Sequence, residues 1–376
     1  MQTKPICLLG EAPGEQEAKI GSSFVGASGV LLLQMLNDAR VIQLTSDDRS
    51  LISKYYTTQD PNCTEAVWQM HPEVIRMNVF NQHPPKNDLS FFCGPREEAI
   101  DSHPALLKKK PEYRYWRGGY VREEFSHELE RLGDGLLEHD PNLVVCLGNT
   151  ALWALAGVSG ITKLRGTTRC STHLVSGYKL LCTYHPAAVI RQFELRPTTI
   201  ADLGKCRHEN EFPEVRRPRC EIWIEPSIED IERFTEDYIK GCEILSVDIE
   251  TSGSQVTCIG FAPRADLALV IPIHDSRSKT GSYWPTAEAE RRCWNCIRRI
   301  LEDASIPKLF QNGTYDVAFL WRSYRIKTFG AAEDSMLLHH ALQPESLKGL
   351  GYLGSIYTDF GPWKSEHRES TIKKDA

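Results

Sequence analysis

The carboxylates of Asp248 and Glu250 stand two residues apart in the stretch Leu245-Ser246-Val247-Asp248-Ile249-Glu250-Thr251. Its apolar alternation predicts a strand, and residues two apart on a strand share a face. The two acids would project side by side, roughly 6–7 Å apart along the backbone. On a face expected to be buried, such a pair is costly unless something neutralises it. Mg²⁺ or Mn²⁺ is the natural partner, because hard cations prefer carboxylate oxygens. Two such ions, roughly 3.5–4 Å apart, can stabilise both oxygens of an in-line phosphoryl displacement. Asp316 is the next candidate ligand. Residues 307–313 predict a short strand running into a turn, and Thr314-Tyr315-Asp316-Val317 opens a helix. An acid in a first helical turn suits the macrodipole. Spacing alone leaves a second reading open, in which Asp316 completes a helix N-terminus and the other two are surface groups.

The first half holds another set of polar residues at strand ends. Gly10-Glu11-Ala12-Pro13-Gly14 follows the apolar run Ile6-Cys7-Leu8-Leu9, Asn78 lies near the end of a strand-like run from Val74, and His185-Pro186 follows Leu180-Leu181-Cys182-Thr183. In α/β folds, sites gather at the carboxyl ends of strands. A strand, a Gly-Pro loop and a helix could cradle a phosphate. The loop matches neither the Walker pattern nor the dinucleotide fingerprint. The residues alone give a ligand site of unknown kind holding Glu11, Glu17, Asn78 and His185. Taken singly, His185 before Pro186 is an ordinary turn residue, and Asn78 an ordinary backbone-bonding one.

The elements that must position these residues alternate. Strand-like runs separate helix-like ones throughout residues 1–206, including Gly29–Leu36, the helical repeat of Val121, Phe125, Leu129, Leu132 and Leu136, and the strand Leu143–Leu147. Such alternation predicts an α/β domain with a mainly parallel sheet. Residues 86–120 read as an insertion, where Lys108–Lys110 and the stretch from Tyr113 to Arg117 interleave charge with aromatics that could stack bases, or form a solvated loop. A charged, Pro-containing linker is expected at 207–221. Ser227 then caps a helix, and runs at 256–261 and 267–272 predict two strands beside that of Asp248.

A chain of 376 residues suggests two domains. The net charge of −6 does not advertise nucleic-acid binding, nor does it exclude it, since local basic patches decide that contact. No apolar run reaches the roughly 18 residues of a membrane span, and no signal peptide is evident. The 12 cysteines are scattered, with Cys7, Cys146, Cys182 and Cys258 in apolar runs, which suits buried thiols in a reducing cytoplasm. The pair Cys293 and Cys296 lies in a helix-like segment where Ala289, Cys293, Ile297 and Ile300 form an apolar stripe, so core packing rather than metal or redox chemistry is expected there.

The motifs carry two resemblances. Asp248-Ile249-Glu250-Thr251, Asn312-Gly313-Thr314-Tyr315-Asp316 and Glu333-Asp334-Ser335-Met336-Leu337 resemble the proofreading domain of family-A DNA polymerases, a ribonuclease-H-like 3′–5′ exonuclease, and closely resemble those of phage polymerases. The resemblance covers about residues 221–376. It implies that Asp248, Glu250 and Asp316 are catalytic and hold Mg²⁺ or Mn²⁺. It also implies that Asn312 and Tyr315 bind substrate, and that Asp334 is a supporting acid on a helix. The family's third motif, Tyr-x-x-x-Asp, does not follow Leu350–Leu353; Thr371 stands four residues before Asp375. The exonuclease domain is therefore expected to be incomplete.

Residues 1–206 are similar to family-4 uracil-DNA glycosylases. The similarity rests on Gly10–Glu17, Phe24-Val25-Gly26, Asn78-Val79-Phe80, Cys146–Ala151 and Tyr184–Ala188. It implies that Glu11 and Glu17 line the water and sugar side, that Phe24 stacks on a flipped base, and that Asn78 reads the base edge. His185 would stabilise the departing uracil anion. Ala18 stands where the family usually has Asp, Ser23 where it usually has Pro, and Gln82-His83-Pro84-Pro85 where a Cys usually precedes Arg-Pro-Pro. Cys93 alone cannot hold an iron–sulfur cluster, so none is expected.

The expected fold is α/β in two domains, a glycosylase-like parallel-sheet domain at 1–206 and a truncated ribonuclease-H-like exonuclease domain at 222–376. The expected function is that of the N-terminal part of a phage-type polymerase, working in the host cytoplasm on single-stranded or primer-template DNA. A polymerase domain or replisome proteins would be its partners, and no membrane. The alternative is a DNA-docking module with both sites silent.

Overall fold

The computed structural model describes residues 4–94, 114–115 and 119–360. Lys108–Lys110, Tyr113, Trp116, Arg117, Thr371 and Asp375 lie outside that set. The chain divides into two compact units, Met1–Arg217 with the returning segment from Gly354, and Pro218–Leu353. Phe212, placed by the sequence in a linker, is buried in the first unit between Lys179 Nζ and the Arg216 guanidinium, 3.6 and 3.7 Å from its ring centre.

The first unit is built on β1 (Ile6–Gly10), β2 (Val74–Asn78), β5 (Leu143–Leu147), β6 (Thr168–Thr172) and β7 (Ser176–Thr183), with a small ribbon of β3 (Cys93–Gly94) and β4 (Tyr120–Val121). The five-stranded sheet runs β2-β1-β5-β7-β6. Every pairing is parallel except β6 with β7. The central strands β1 and β5 are buried along their whole length. Their unbroken apolar runs are what a parallel sheet covered on both faces demands. One face packs Leu8, Val145 and Leu181 against Val30, Leu33 and Trp68. The other packs Leu9, Val144 and Cys146 against Leu129, Leu132 and Trp153.

The second unit holds β8 (Glu221–Ile224), β9 (Leu245–Ser252), β10 (Gln255–Arg264), β11 (Leu267–Pro272), β12 (Lys308–Phe310) and β13 (Ala331–Asp334) in the order β13-β12-β9-β10-β11-β8. The strands β9, β10 and β11 form an antiparallel meander, while β12 joins β9 and β13 in parallel. Val247 and Ile249 point into the core with Ile259 and Leu269, against Cys293, Ile297 and Ile300 of the helix Ala287–Glu302. The Cys293–Cys296 pair is thus packing, as its stripe predicts. Ser227 closes a full capping box with Asp230 at the helix Ile228–Phe234.

Two expectations change. The acidic face of β9 is open: burial alternates strictly, with Val247 and Ile249 inside and Asp248 and Glu250 exposed. Burial therefore does not force a counter-ion on that pair; the alternation had the right parity, but the buried face is the apolar one. Tyr115 is not free to stack bases either. It is buried, its ring centre 5.0 Å from that of Trp153, because its apolar body fills the space beside the helix Asn149–Ala156.

Candidate active sites

Parallel pairing brings the ends of β1, β2, β5 and β7 to one edge of the first sheet. There Glu11, Glu17, Phe24, Asn78 and His185 line one cavity of about 360 Å³. All five residues singled out in this half of the sequence meet. Glu11 leaves β1, and its Oε1 accepts from Thr150 Oγ1 at 3.1 Å. The Thr150 hydroxyl lies 3.0 Å from that of Tyr115, so Tyr115 donates into a relay ending on Glu11. Glu17 Oε1 accepts from the backbone N–H of Val25 (3.0 Å) and Gly26 (2.8 Å), which ties the Phe24 loop to the helix Glu15–Ile20.

Phe24 is buried with φ 58°, a left-handed conformation costly for a side chain with a Cβ. Trp68 holds it by donating Nε1–H to its carbonyl at 2.7 Å. Its ring centre lies 6.0 Å from that of His185. Gly10 must be bare here, since a Cβ would fall 2.4 Å from both Asn78 Oδ1 and Phe24 Cζ. Asn78 is buried, its carbonyl accepts from Arg131 Nη2 at 2.7 Å, and its side-chain Nδ2 donates to Ser23 Oγ at 3.1 Å.

His185 caps the helix Pro186–Arg191, with Nδ1 accepting from the Ala187 N–H at 3.2 Å. With Nδ1 an acceptor, the proton of the neutral ring sits on Nε2. Burial holds the ring below the usual histidine pKa; Glu11 and Glu17 oppose that shift and Arg191 adds to it. The cavity thus contains a neutral donor rather than an imidazolium. Behind it, Cys7, Cys146 and Cys182 are fully buried on one face of the sheet, and burial pushes the thiols of Cys7 and Cys182 up to about 12.

In the second unit Asp316 lies in the first turn of the helix Thr314–Tyr324, buried, its Oδ1 accepting from the Ile249 N–H at 3.2 Å. Burial pushes its carboxyl up to about 6, and the charges of Asp248 and Asp334 add to that. Among the described residues no three His, Cys, Asp or Glu side chains form a group able to hold a metal ion. Of the two acids on β9, Asp248 is the one whose charge Asp316 feels, while Glu250 lies one strand repeat further along. Tyr315 is exposed, its hydroxyl 2.8 Å from Thr251 Oγ1. Asn312 takes φ 60° in the turn.

Asp334 was underrated by the sequence. It ends β13 instead of lying within a helix, and it caps the helix Ser335–Leu342 through the Met336 N–H (2.9 Å) and Leu337 N–H (3.3 Å). The same carboxylate accepts from the Asn312 N–H (3.1 Å) and Gly313 N–H (2.8 Å). These bonds hold its pKa below the usual carboxylate range against the opposing effect of burial. The turn that delivers Asp316 is therefore pinned by Asp334. Thr150 and Arg131 were also missed, because nothing local marks a side chain that acts across 50 or more residues.

Residues 2–204, more than half of the chain, match the family described as the uracil DNA glycosylase superfamily. The chain belongs to the uracil-DNA glycosylase superfamily. Residues 227–372 match the 3′-5′ exonuclease family, so a glycosylase-superfamily domain is followed by an exonuclease domain. The chain is 25% identical to the type-4 uracil-DNA glycosylase of Thermotoga maritima over 206 residues, 54% of this chain and 76% of that one. It is 24% identical over 250 residues to the DNA polymerase of Bacillus phage SP01, covering 58% of this chain and 26% of the polymerase. The chain thus spans about a quarter of the polymerase it matches. Escherichia coli RNase D is similar at 16% identity and a TM-score of 0.29, over 40% of this chain and 36% of that one.

Proposed function

We propose that the chain processes DNA at two sites, excising uracil in the first unit and removing 3′-terminal nucleotides in the second. The observation that carries this reading is the meeting of Glu11, Glu17, Phe24, Asn78 and His185 around one cavity. A flipped base would stack on Phe24 and meet the Asn78 amide at its edge. The Nε2–H of His185 would donate to the negative charge that develops on the leaving uracil. The Tyr115–Thr150 relay holds Glu11 in place.

In the second unit the donors suit a divalent cation, since a carboxyl pushed up by burial, with neighbouring carboxylates adding to the shift, is what a hard cation would relieve. Asp316 and Asp248 would hold it, with Glu250 on the same strand face as a further ligand. When bound, the ion would stabilise charge on the phosphodiester oxygens. Asn312 and the exposed ring of Tyr315 would receive the terminal nucleotide. This pairing fits the N-terminal part of a replicative polymerase of the phage type, with a polymerase domain as partner and cytoplasm as its place of work. Among the described residues no helix is long and apolar enough to cross a membrane. A second reading, a DNA-docking module with silent sites, draws on the lack of a three-acid group among the described residues.

Two assays test the proposal. Mg²⁺-dependent release of nucleotides from a 3′-labelled strand should vanish in Asp248→Ala, and undiminished degradation would end the exonuclease assignment. Alkali-sensitive cleavage of a uracil-containing oligonucleotide should vanish in His185→Ala.

A further inference from the structure

Ser23 does not line the cavity, yet its hydroxyl takes the Asn78 side chain's Nδ2–H at 3.1 Å. Three contacts fix the backbone that carries this hydroxyl. Arg76 Nη1 donates to the Ser23 carbonyl at 2.7 Å. The same guanidinium is gripped by Glu65 (2.9 and 3.2 Å) and lies 5.1 Å from the Trp68 ring centre. Glu65 also accepts from Ser22 Oγ at 2.6 Å, and Trp68 bonds the Phe24 carbonyl. Residues 22–24 are thus clamped one after another, by groups nearly all outside the cavity. The arrangement is more than Phe24 alone requires, because it also sets the height and direction of the Ser23 hydroxyl.

We propose that Ser23 is the positioning residue that makes Asn78 a selective reader of the base edge. This rests on the glycosylase reading of the cavity. An amide has two N–H donors and one carbonyl acceptor. With one N–H spent on Ser23, the buried amide offers the ligand one donor beside one acceptor. A base edge with a carbonyl beside a ring N–H, as in uracil, complements that pair. Cytosine presents an amino group beside a ring nitrogen acceptor, the reverse order. Turning the amide over to suit cytosine would break the Nδ2–Ser23 bond, and the Ser23 hydroxyl would have to swing its own O–H onto the amide oxygen to replace it. Removing the hydroxyl frees the amide to rotate, and the cavity loses its preference while keeping its shape.

The test measures equilibrium binding of the full chain to single-stranded oligonucleotides that carry one 2′-fluoro-deoxyuridine or one 2′-fluoro-deoxycytidine. EDTA is present throughout to silence the exonuclease. Wild type should prefer the uracil strand, Ser23→Ala should cut that preference about tenfold, and Ser23→Thr should restore most of it. The loss should appear as a changed uracil-to-cytosine ratio with an unchanged melting temperature. If wild type prefers uracil and Ser23→Ala keeps the ratio, the role of Ser23 is overturned while the glycosylase reading stands. If wild type shows no preference and leaves a normal uracil strand alkali-stable, both fall.

Discussion

The ring of His185 has one nitrogen committed to the backbone of the helix it caps, and that commitment decides its behaviour with pH. Its pKa is depressed by burial, so the folded protein holds it neutral. A base depressed in the folded state contributes stability above its unfolded pKa of about 6.5, and loses it as pH falls through the folded value. Uracil excision should therefore stay level from pH 8 down past 6.5 and decline only in more acidic buffer, as rates on a uracil oligonucleotide would show. Asp316 behaves in the opposite way. Its carboxyl is pushed up to about 6, so the folded state favours the protonated acid. Stability present at low pH is lost as pH rises from about 4 to about 6 and the buried group must ionise. Asp316→Asn should therefore stabilise the protein at pH 8 in EDTA, by on the order of 1 kcal/mol once solvent screening is allowed for, seen as a higher melting temperature. The same variant should lose Mg²⁺-dependent nucleotide release. A lower melting temperature would show that the carboxylate is structural.

At the scale of elements, small residues decide how closely segments approach. Gly29 opens the helix Ala27–Asp38 under the Phe24 carbonyl, where an added Cβ would fall 1.7 Å from the oxygen. Backbone cannot yield as a side chain can. Gly29→Ala should cost about 3 kcal/mol, seen in urea unfolding, and should weaken uracil binding by displacing Phe24. The strands themselves were legible: β1 and β5 as unbroken apolar runs, β9 as strict alternation. Glu11, Glu17, Asn78 and His185 were legible as polar groups in segments leaving strand ends; Phe24, and the roles of all five, only through resemblance. Pinning contacts were not legible. Asp334 gathers N–H groups from two adjacent residues of one turn, 21 and 22 positions away, as well as from its own helix. Arg131 reaches back 53 residues to the Asn78 carbonyl. No periodicity or local spacing encodes such pairings. The exposure of Asp248 was misjudged for a related reason: alternation tells which residues share a face, and only the packing of helices tells which face is covered.

At the scale of the molecule, the first unit is discontinuous in sequence. Arg165 is buried, donating to Asp202 (Nε–Oδ2 2.8 Å) and, through Nη1, to Ser355 Oγ at 2.8 Å. Lys205 Nζ donates to the carbonyls of Ser355 (2.9 Å) and Thr358 (2.7 Å). Charged donors left without acceptors in a buried site are expensive. A chain ending at Leu353 should therefore lose about 2 kcal/mol from the first unit, read as a lower calorimetric transition and earlier proteolysis there. An unchanged transition would show that residues 1–217 suffice.

That returning segment also sets an order of events during synthesis. The ribosome must make all of Pro218–Leu353 before Ser355 and Thr358 emerge. Until then Arg165 and Lys205 wait with part of their bonding unmet, and the amino-terminal half stays short of its final stability. The latest-made stretch of the described chain thus completes the part that was begun first.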